Sequence, residues 1–350
     1  MKLDDLTGKM GEWLRGESSM SDVVISSRVR LARNIAGYPF LSTASDSEQS
    51  EVYRLLADEV SAVVGDEDAL FVDMNQADDI ARQLLVERHL ISRQHAESEG
   101  SRGVTIWPDE RRALMINEED HLRIQGLRSG LQLEGLWEDV TGLDDALSGR
   151  LDFAYDKQLG YLTACPTNVG TGIRVSIMLH LPAMRLTKEI DRVIRAARDM
   201  RLAVRGLYGE GTDAVGDFYQ VSNQTTLGKS EPEIIRSFEE NIIPKIVGYE
   251  RAARESLAED HQHRLDDRIW RAHGALASAR TIGTEETLAL LSHVRMGIQM
   301  GRFDLINIQT LNDLFLHIQP AHLQKMAGRP LDGAGRSVFR AQYLREKLAV

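Results

Sequence analysis

The sequence predicts an α/β domain followed by an all-helical one. Three observations predict it. The cleanest strand pattern is 173–181, where Ile173, Val175, Ile177, Leu179 and Leu181 alternate with Arg174, Ser176 and His180. The two sets therefore take opposite faces. Strand and helix patterns share the chain up to Asn223, whereas beyond Pro232 only amphipathic helical periodicity remains. The composition shifts to helix formers across 250–257, which puts the boundary between domains 1–258 and 259–350.

Residues 1–20 are a polar leader. Residues 23–31 read as a strand with Val23, Ile25, Val29 and Leu31 inward and Arg28 and Arg30 on the other face. Two arginines two apart offer a double fork to phosphate oxygens, or are the basic side chains of a solvated edge strand. A helix at 47–64 carries Val52, Leu55, Leu56, Val60 and Val63 as its apolar stripe, and a strand at 70–74 follows. A second helix, 77–92, ends near His89, which is either a ligand contact or a structural histidine. Arms 103–107 and 113–117 form a hairpin turned at Pro108 and Asp109.

If 117–125 is extended, Glu119, His121 and Arg123 share a face. Alone this is a solvated ion pair; beside a phosphate it becomes a base and a cation. A helix at 131–151 and a hairpin of 153–155 with 159–163 lead to Cys165 and the glycines Gly170 and Gly172. Pro182 opens a helix carrying Leu186, Ile190, Val193, Ile194 and Ala197. A strand at 202–206, a glycine-rich loop at 208–216 and a strand at 217–223 close the α/β part. Helices follow at 232–257, 264–279, 285–300 and 305–325, then a break at 328–335 and a terminal basic helix.

Of the 350 residues, 42% are hydrophobic and 27% charged, ordinary values for a soluble globular chain. The net charge of −11 argues against sequence-independent nucleic-acid binding and makes any arginine cluster a local feature. One cysteine excludes a disulfide framework and a Cys-rich metal site. Neither a signal peptide nor a bilayer-spanning run is present, so the expectation is a cytoplasmic protein with no membrane partner. Cys165, ahead of a glycine-rich turn and a strand bearing Arg174, is either a small buried thiol or part of an anion site.

Four segments occur in the order of the guanidino (phosphagen) kinase motifs, and the chain resembles that family over about 23–228. They are Ser26-Ser27-Arg28-Val29-Arg30, Asn117-Glu118-Glu119-Asp120-His121-Leu122-Arg123, Cys165-Pro166-Thr167-Asn168-Val169-Gly170-Thr171-Gly172 and Val221-Ser222-Asn223. The resemblance implies a glutamine synthetase-like catalytic domain, a large antiparallel sheet flanked by helices, joined to an all-α C-terminal domain. Within the family the chain is similar to the bacterial protein-arginine kinases of the McsB type. The points of likeness are the loop Arg205-Gly206-Leu207-Tyr208-Gly209-Glu210, the helical C-terminal domain, and a short leader where phosphagen kinases carry a helical domain.

That resemblance implies transfer of the ATP γ-phosphoryl group to arginine side chains of proteins, with Mg²⁺ accompanying ATP and no metal site built by the protein. Arg28, Arg30, Arg123, Arg174 and Arg205 are implied to hold phosphates. Further nucleotide contacts are implied for Ser26, Ser27, Val29, His89, Val175, Ser176, Ile177, Met178, Gly206, Leu207, Tyr208 and Gly209. Glu119 is the implied base, Glu210 a clamp on the guanidinium, and Cys165 a thiolate acting as its electrostatic partner. Implied partners are a small zinc-binding activator protein and a Clp unfoldase and protease of the stress response, with self-association as a dimer or larger oligomer. The segment Arg336-Ser337-Val338-Phe339-Arg340-Ala341 resembles the R-D-x-x-R-A motif of a regulatory phosphoarginine pocket, with Ser337 in place of its acid. Rival readings are a kinase for free arginine or another small guanidino compound, and an adaptor that has lost catalysis.

Overall fold

Alternation of apolar and polar side chains builds one large sheet, and both of its faces are used. The structure, a computed structural model, describes residues 2–65, 67–206 and 215–348; Leu207, Tyr208, Gly209 and Glu210 lie outside the described residues. The main strands are β1 (Val24–Arg33), β2 (Leu70–Asp73), β3 (Gly103–Ile106), β4 (Arg112–Ile116) and β5 (Leu122–Ser129). After the two-residue arms β6 (Tyr155–Asp156) and β7 (Gly160–Tyr161) come β8 (Ile173–His180), β9 (Leu202–Arg205) and β10 (Phe218–Asn223). Eight of these pair antiparallel in the order β2-β3-β4-β5-β1-β8-β10-β9. The expected large antiparallel sheet flanked by helices is therefore observed.

One face buries Val29, Leu31, Ile124, Val175 and Ile177, all fully excluded from solvent, in the main core. Helices α1 (Asp46–Val64) and α4 (Leu133–Ser148) cover this face. Ser45 caps α1 in a box with Glu48, and Val52, Leu56 and Val60 form its buried stripe. The opposite face carries an apolar cluster at each side of a polar centre. Met74, Leu85, Val104 and Met115 form one with α2 (Asp79–Glu87), followed by α3 (Arg93–Glu97). Leu127, Met178 and Phe218 form the other with the C-terminal helices.

Those helices follow α5 (Pro182–Leu186), α6 (Ile190–Asp199), α7 (Glu231–Arg236), a π-helical stretch Ser237–Ile242, and α8 (Ile243–Asp260). They are α9 (Gln262–Ser278), α10 (Thr284–Gln299), α11 (Ile308–His317), α12 (Pro320–Ala327) and α13 (Gly333–Leu348). Leu276, Leu291, Leu314 and Leu344 bring their apolar stripes together. Polar groups tie them to the sheet: His180 Nε2 meets Ser292 Oγ at 2.9 Å, and that hydroxyl donates to Asp217 at 2.8 Å. The leader is sandwiched between the parts. Asn312 Nδ2 donates to Leu14 O at 2.6 Å, His317 Nε2 meets Thr7 O at 3.0 Å, and Arg88 donates to Lys9 O at 3.1 Å. No helix among the described residues is long and apolar enough to cross a membrane.

Five local expectations change. A register shift between Val24 and Ser26 turns Ile25 to the C-terminal cluster, and Val24 takes the inward place. The expected helix at 77–92 stops at Glu87, because His89 adopts φ 58°. Lys188 at φ 63° splits α5 from α6, and Pro320 opens α12 and so divides the expected 305–325 helix. Residues 117–121 are a tight turn rather than strand: Asn117, at φ 57°, donates its N–H to His121 O at 2.8 Å.

The end of β1 is fixed by a buried ion pair. Arg33, 2% exposed, donates Nη2 to Asp144 of α4 at 2.7 Å and Nε at 3.0 Å, while Nη1 reaches Thr171 O at 3.0 Å. Its guanidinium carbon also lies 3.5 Å from the centre of the Tyr161 ring. Removing one partner leaves an uncompensated buried charge. Asp144→Ala is expected to cost about 3–5 kcal/mol in urea unfolding; a loss under about 1 kcal/mol would show the pair to be solvated.

Candidate active site

Antiparallel register assembles the polar centre. Side chains directly opposite one another on paired strands share a face. Arg30 lies opposite Arg174, Arg28 opposite Ser176, Ala32 opposite Arg123, and Gln220 opposite Arg205. Arginines from β1, β5, β8 and β9 thus converge on one cavity of about 260 Å³, which Arg28, Arg30, Arg123, Arg174, Arg205 and Arg93 all line. His89, Ser92, Glu118, Glu119, Asn168 and Gln220 complete it.

Their electrostatics are unusual for an acidic chain. Burial, then Arg174 and Arg123, push Arg28 down to about 10. Burial, Arg28, Arg123 and Arg174 push Arg30 well below its ordinary value, and Glu118 offsets only part. Arg30 Nε is buried without a hydrogen-bond partner among the described residues. Burial with Arg28 and Arg93 lowers His89 to about 3, so it is neutral, and its ring packs edge-on against Trp13 at 4.4 Å. Such a set of convergent, desolvated forks is suited to several phosphate oxygens at once.

Two carboxylates face the cluster and differ in environment. Glu118 is 7% exposed; it pairs with Arg123 Nη1 at 2.6 Å, accepts the Ser92 hydroxyl at 2.5 Å and accepts the Glu119 N–H at 2.7 Å. Burial pushes Glu118 up, but Arg123, Ser92 and Arg30 outweigh it and hold it below the ordinary range. Glu119 has a side chain 37% exposed and meets Arg123 Nη2 at 3.1 Å. Burial raises Glu119, Arg123 opposes the rise, and Asp120 and Glu118 add to it. Glu119 and Arg123 meet across the turn at i and i+4. His121 is fully buried, accepts the Ile35 N–H at Nδ1 (3.0 Å) and lies 3.0 Å from Pro39 O at Nε2.

The Cys165 turn forms one wall. Asp120 Oδ1 accepts the Ala164 N–H and Asn34 Nδ2, both at 2.7 Å, and so ties the carboxylate turn to this one. Cys165 is half-buried, with Sγ 3.0 Å from Thr167 Oγ1; Asn168 and Gly172 reach the cavity. Gly172, at φ 68°, lies so close to β1 that a Cβ would stand 2.6 Å from Ala32 O.

Other expected residues are placed differently. Ser26, Ser176 and Met178 line a small recess of about 10 Å³ beside Arg28 and His89. The side chains of Val29, Val175 and Ile177 are fully buried in the main core on the far face, so none can reach a ligand in the cavity. Ser27 is turned away too, donating to Gly130 O at 2.6 Å. In the terminal segment Arg340, 2% exposed, gives Nε to Ile318 O (2.8 Å) and Nη1 to Ile282 O (2.9 Å). Arg336 donates to Leu331 O at 2.6 Å, Ser337 Oγ to Gly333 O at 3.0 Å, and Ala341 is buried. Glu118, Arg93, Ser92, Asn168 and Gln220 are cavity residues the sequence reading did not single out.

Comparison with known proteins decides the family. A model described as ATP:guanido phosphotransferase, C-terminal catalytic domain, matches residues 51–253, and one described as Protein-arginine kinase McsB C-terminal domain matches 262–350. The chain is 42% identical to a protein-arginine kinase of Halothermothrix orenii over 349 residues, 99% of each chain.

The chain belongs to the protein-arginine kinases.

It is thus a phosphotransferase of the ATP:guanido class. Another relative, the protein-arginine kinase of Syntrophomonas wolfei, is 45% identical over 343 residues, 96% of this chain and 94% of that one. Among solved structures, a lombricine kinase aligns with TM-score 0.58 and 26% identity, covering 72% of this chain and 71% of that one. A duplicated taurocyamine kinase from Schistosoma mansoni shares the fold at TM-score 0.61 and 22% identity, covering 77% of this chain and 39% of that one.

The arginine cluster is held together against its own repulsion, so it should cost stability when empty. Arg30→Met is expected to raise the Tm of the ligand-free protein by about 1–2 °C, equivalent to roughly 1 kcal/mol. The same variant should lose most of the Tm gain produced by added ATP. A lower ligand-free Tm with an intact ATP response would show that Arg30 is a structural cation.

Proposed function

We propose that this chain phosphorylates arginine side chains of proteins, and that the reaction takes place in the arginine-lined cavity. The observation that carries the reading is Glu119, a half-exposed carboxylate beside a cluster of buried cations. Arg28, Arg30, Arg123, Arg174 and Arg205 hold the phosphate oxygens and neutralise charge as the γ-phosphorus leaves ADP. The incoming guanidinium is protonated and a poor nucleophile. Glu119 orients it and accepts a proton as the N–P bond forms and the P–O bond to ADP breaks. Glu118 positions Arg123 and the backbone of Glu119. Cys165 borders the guanidinium from its turn without forming a covalent bond, and Glu210 closes on it from the other side.

Mg²⁺ enters with ATP. Among the described residues no group of three His, Cys, Asp or Glu side chains could cage a metal ion. Bound with ATP, the ion would be held through phosphate oxygens and its retained waters, as suits an ion that dehydrates reluctantly, and would add neutralising charge beside the arginines. The domains divide at about 258, and α9 to α13 carry self-association. Phosphoarginine marks substrates for a Clp-type protease under stress, with a small zinc-binding protein as activator. Control by phosphoarginine through Arg336 and Arg340 is weak in this chain, because both spend donors on main-chain carbonyls and Ser337 offers no charged acceptor.

Incubation with radiolabelled ATP and either free arginine or an arginine-rich protein tests the reading. Acid-labile label on the protein is the expected result; label on free arginine alone would make it a small-molecule kinase, and no label an adaptor. Glu119→Gln should lower kcat by about 10²–10⁴-fold while ATP still raises Tm. As a base, Glu119 works deprotonated, so activity is lost as pH falls through its pKa. Since burial raises that pKa, the acid limb of kcat/KM should lie above the ordinary carboxylate value of 4.5. An acid limb at or below 4.5 would remove Glu119 from the role.

A further inference from the structure

Away from the active-site cavity lies a second, larger concavity of about 640 Å³ that the reaction does not use. It runs between two helices. One wall is a single continuous face of α7, the π-helical stretch and α8: Ile234, Phe238, Ile242, Ile246 and Tyr249. Those positions span roughly 22 Å, about four helical turns. The π-helical stretch carries Phe238 and Ile242 of this wall, and such distortions occur frequently at functional sites. The facing wall is α6, through Val193, Ala197 and Met200. Large apolar groups stand at the lip: Met200 is 52% exposed and Tyr249 56%.

The charge of this groove is opposite to that of the molecule. Arg201, Lys229 and Lys245 line it against one carboxylate, Glu233, which Ser230 already engages through its N–H and hydroxyl at 2.8 Å. Behind the α6 wall, Arg192, Arg195 and Arg198 are exposed and form no ion pair among the described residues; the acids of that helix are Asp191 and Asp199. A chain of net charge −11 thus presents a cation-rimmed apolar trough of helical length.

We propose that this groove docks an acidic amphipathic helix of a partner protein. Its apolar stripe would seat between α6 and α8 as a third helix, and carboxylates along its edges would meet Arg201, Lys229 and Lys245. The charges set partner choice and approach, and the apolar stripe holds the complex. This docking surface is independent of how the active site is read.

The test uses the full chain and a fluorescent twenty-residue probe peptide, with leucines at i, i+3, i+4 and i+7 spacing and glutamates on the remaining positions. Anisotropy should show saturable binding that weakens with added salt. Met200→Asp and Lys245→Glu should each weaken it at least tenfold with Tm unchanged. Arg195→Glu, on the outer surface, covers the case in which Met200→Asp does not fold, and should weaken binding several-fold. Absence of saturable binding overturns the proposal. So does equal binding of a peptide with serine for leucine, which would reduce the groove to a charged patch, or of one with lysine for glutamate. Sedimentation supplies the last check: a dimer that Met200→Asp dissociates would assign the groove to a second copy of this chain.

Discussion

Arg30 and Arg174 stand directly opposite each other on adjacent central strands, and the rest of the fold answers to that repulsion. Like charges at opposed positions destabilise a sheet. Here they are also desolvated, which lowers Arg30 and Arg28 below the ordinary guanidinium range. The chain offsets this with the other face of the same strands. Val29, Leu31, Val175 and Ile177 are fully buried there, beneath α1 and α4. Apolar clusters flank the polar centre on its own face, so the arginines occupy a walled depression instead of an open sheet.

Within that depression, two adjacent carboxylates divide the labour. Glu118 is saturated by Arg123, Ser92 and a backbone N–H, so it is an anchor with little capacity left. Glu119 has one ion pair and an exposed edge. A neighbouring pair driven in opposite directions, Glu118 down and Glu119 up, is a pattern associated with sites that move protons.

The sheet and the arginine face were legible because a strand's period is two, so alternation alone assigns Arg28, Arg30 and Arg174 to one side. The same rule overreached elsewhere. Extending it through 117–125 put His121 beside Glu119, whereas Asn117 begins a turn that buries the imidazole and joins Glu119 to Arg123 by another geometry. Glu118 was illegible as an anchor because Ser92 is 26 residues away and only the β1–β5 register brings Arg30 near. Motif likeness carried Val29, Val175 and Ile177 along with their neighbours, although alternation already placed them on the core side. In the terminal segment, nothing in Arg336-Ser337-Val338-Phe339-Arg340 foretold that Arg340 would spend two donors on Ile318 and Ile282 carbonyls.

The sandwiched leader has a consequence for the order in which the chain can be completed. Leu14 O is held by Asn312, 298 residues away, and Thr7 O lies against His317, 310 residues away. During synthesis Thr7 and Leu14 therefore wait for residues some three hundred positions later in the chain. Trp13 packs on His89 at the cavity wall, so the nascent α/β domain has that wall incomplete until α11 arrives. Closure of such distant contacts is the slow, entropically costly part of folding. A nascent chain stopped ahead of α11 would have its sheet formed but its leader unclamped.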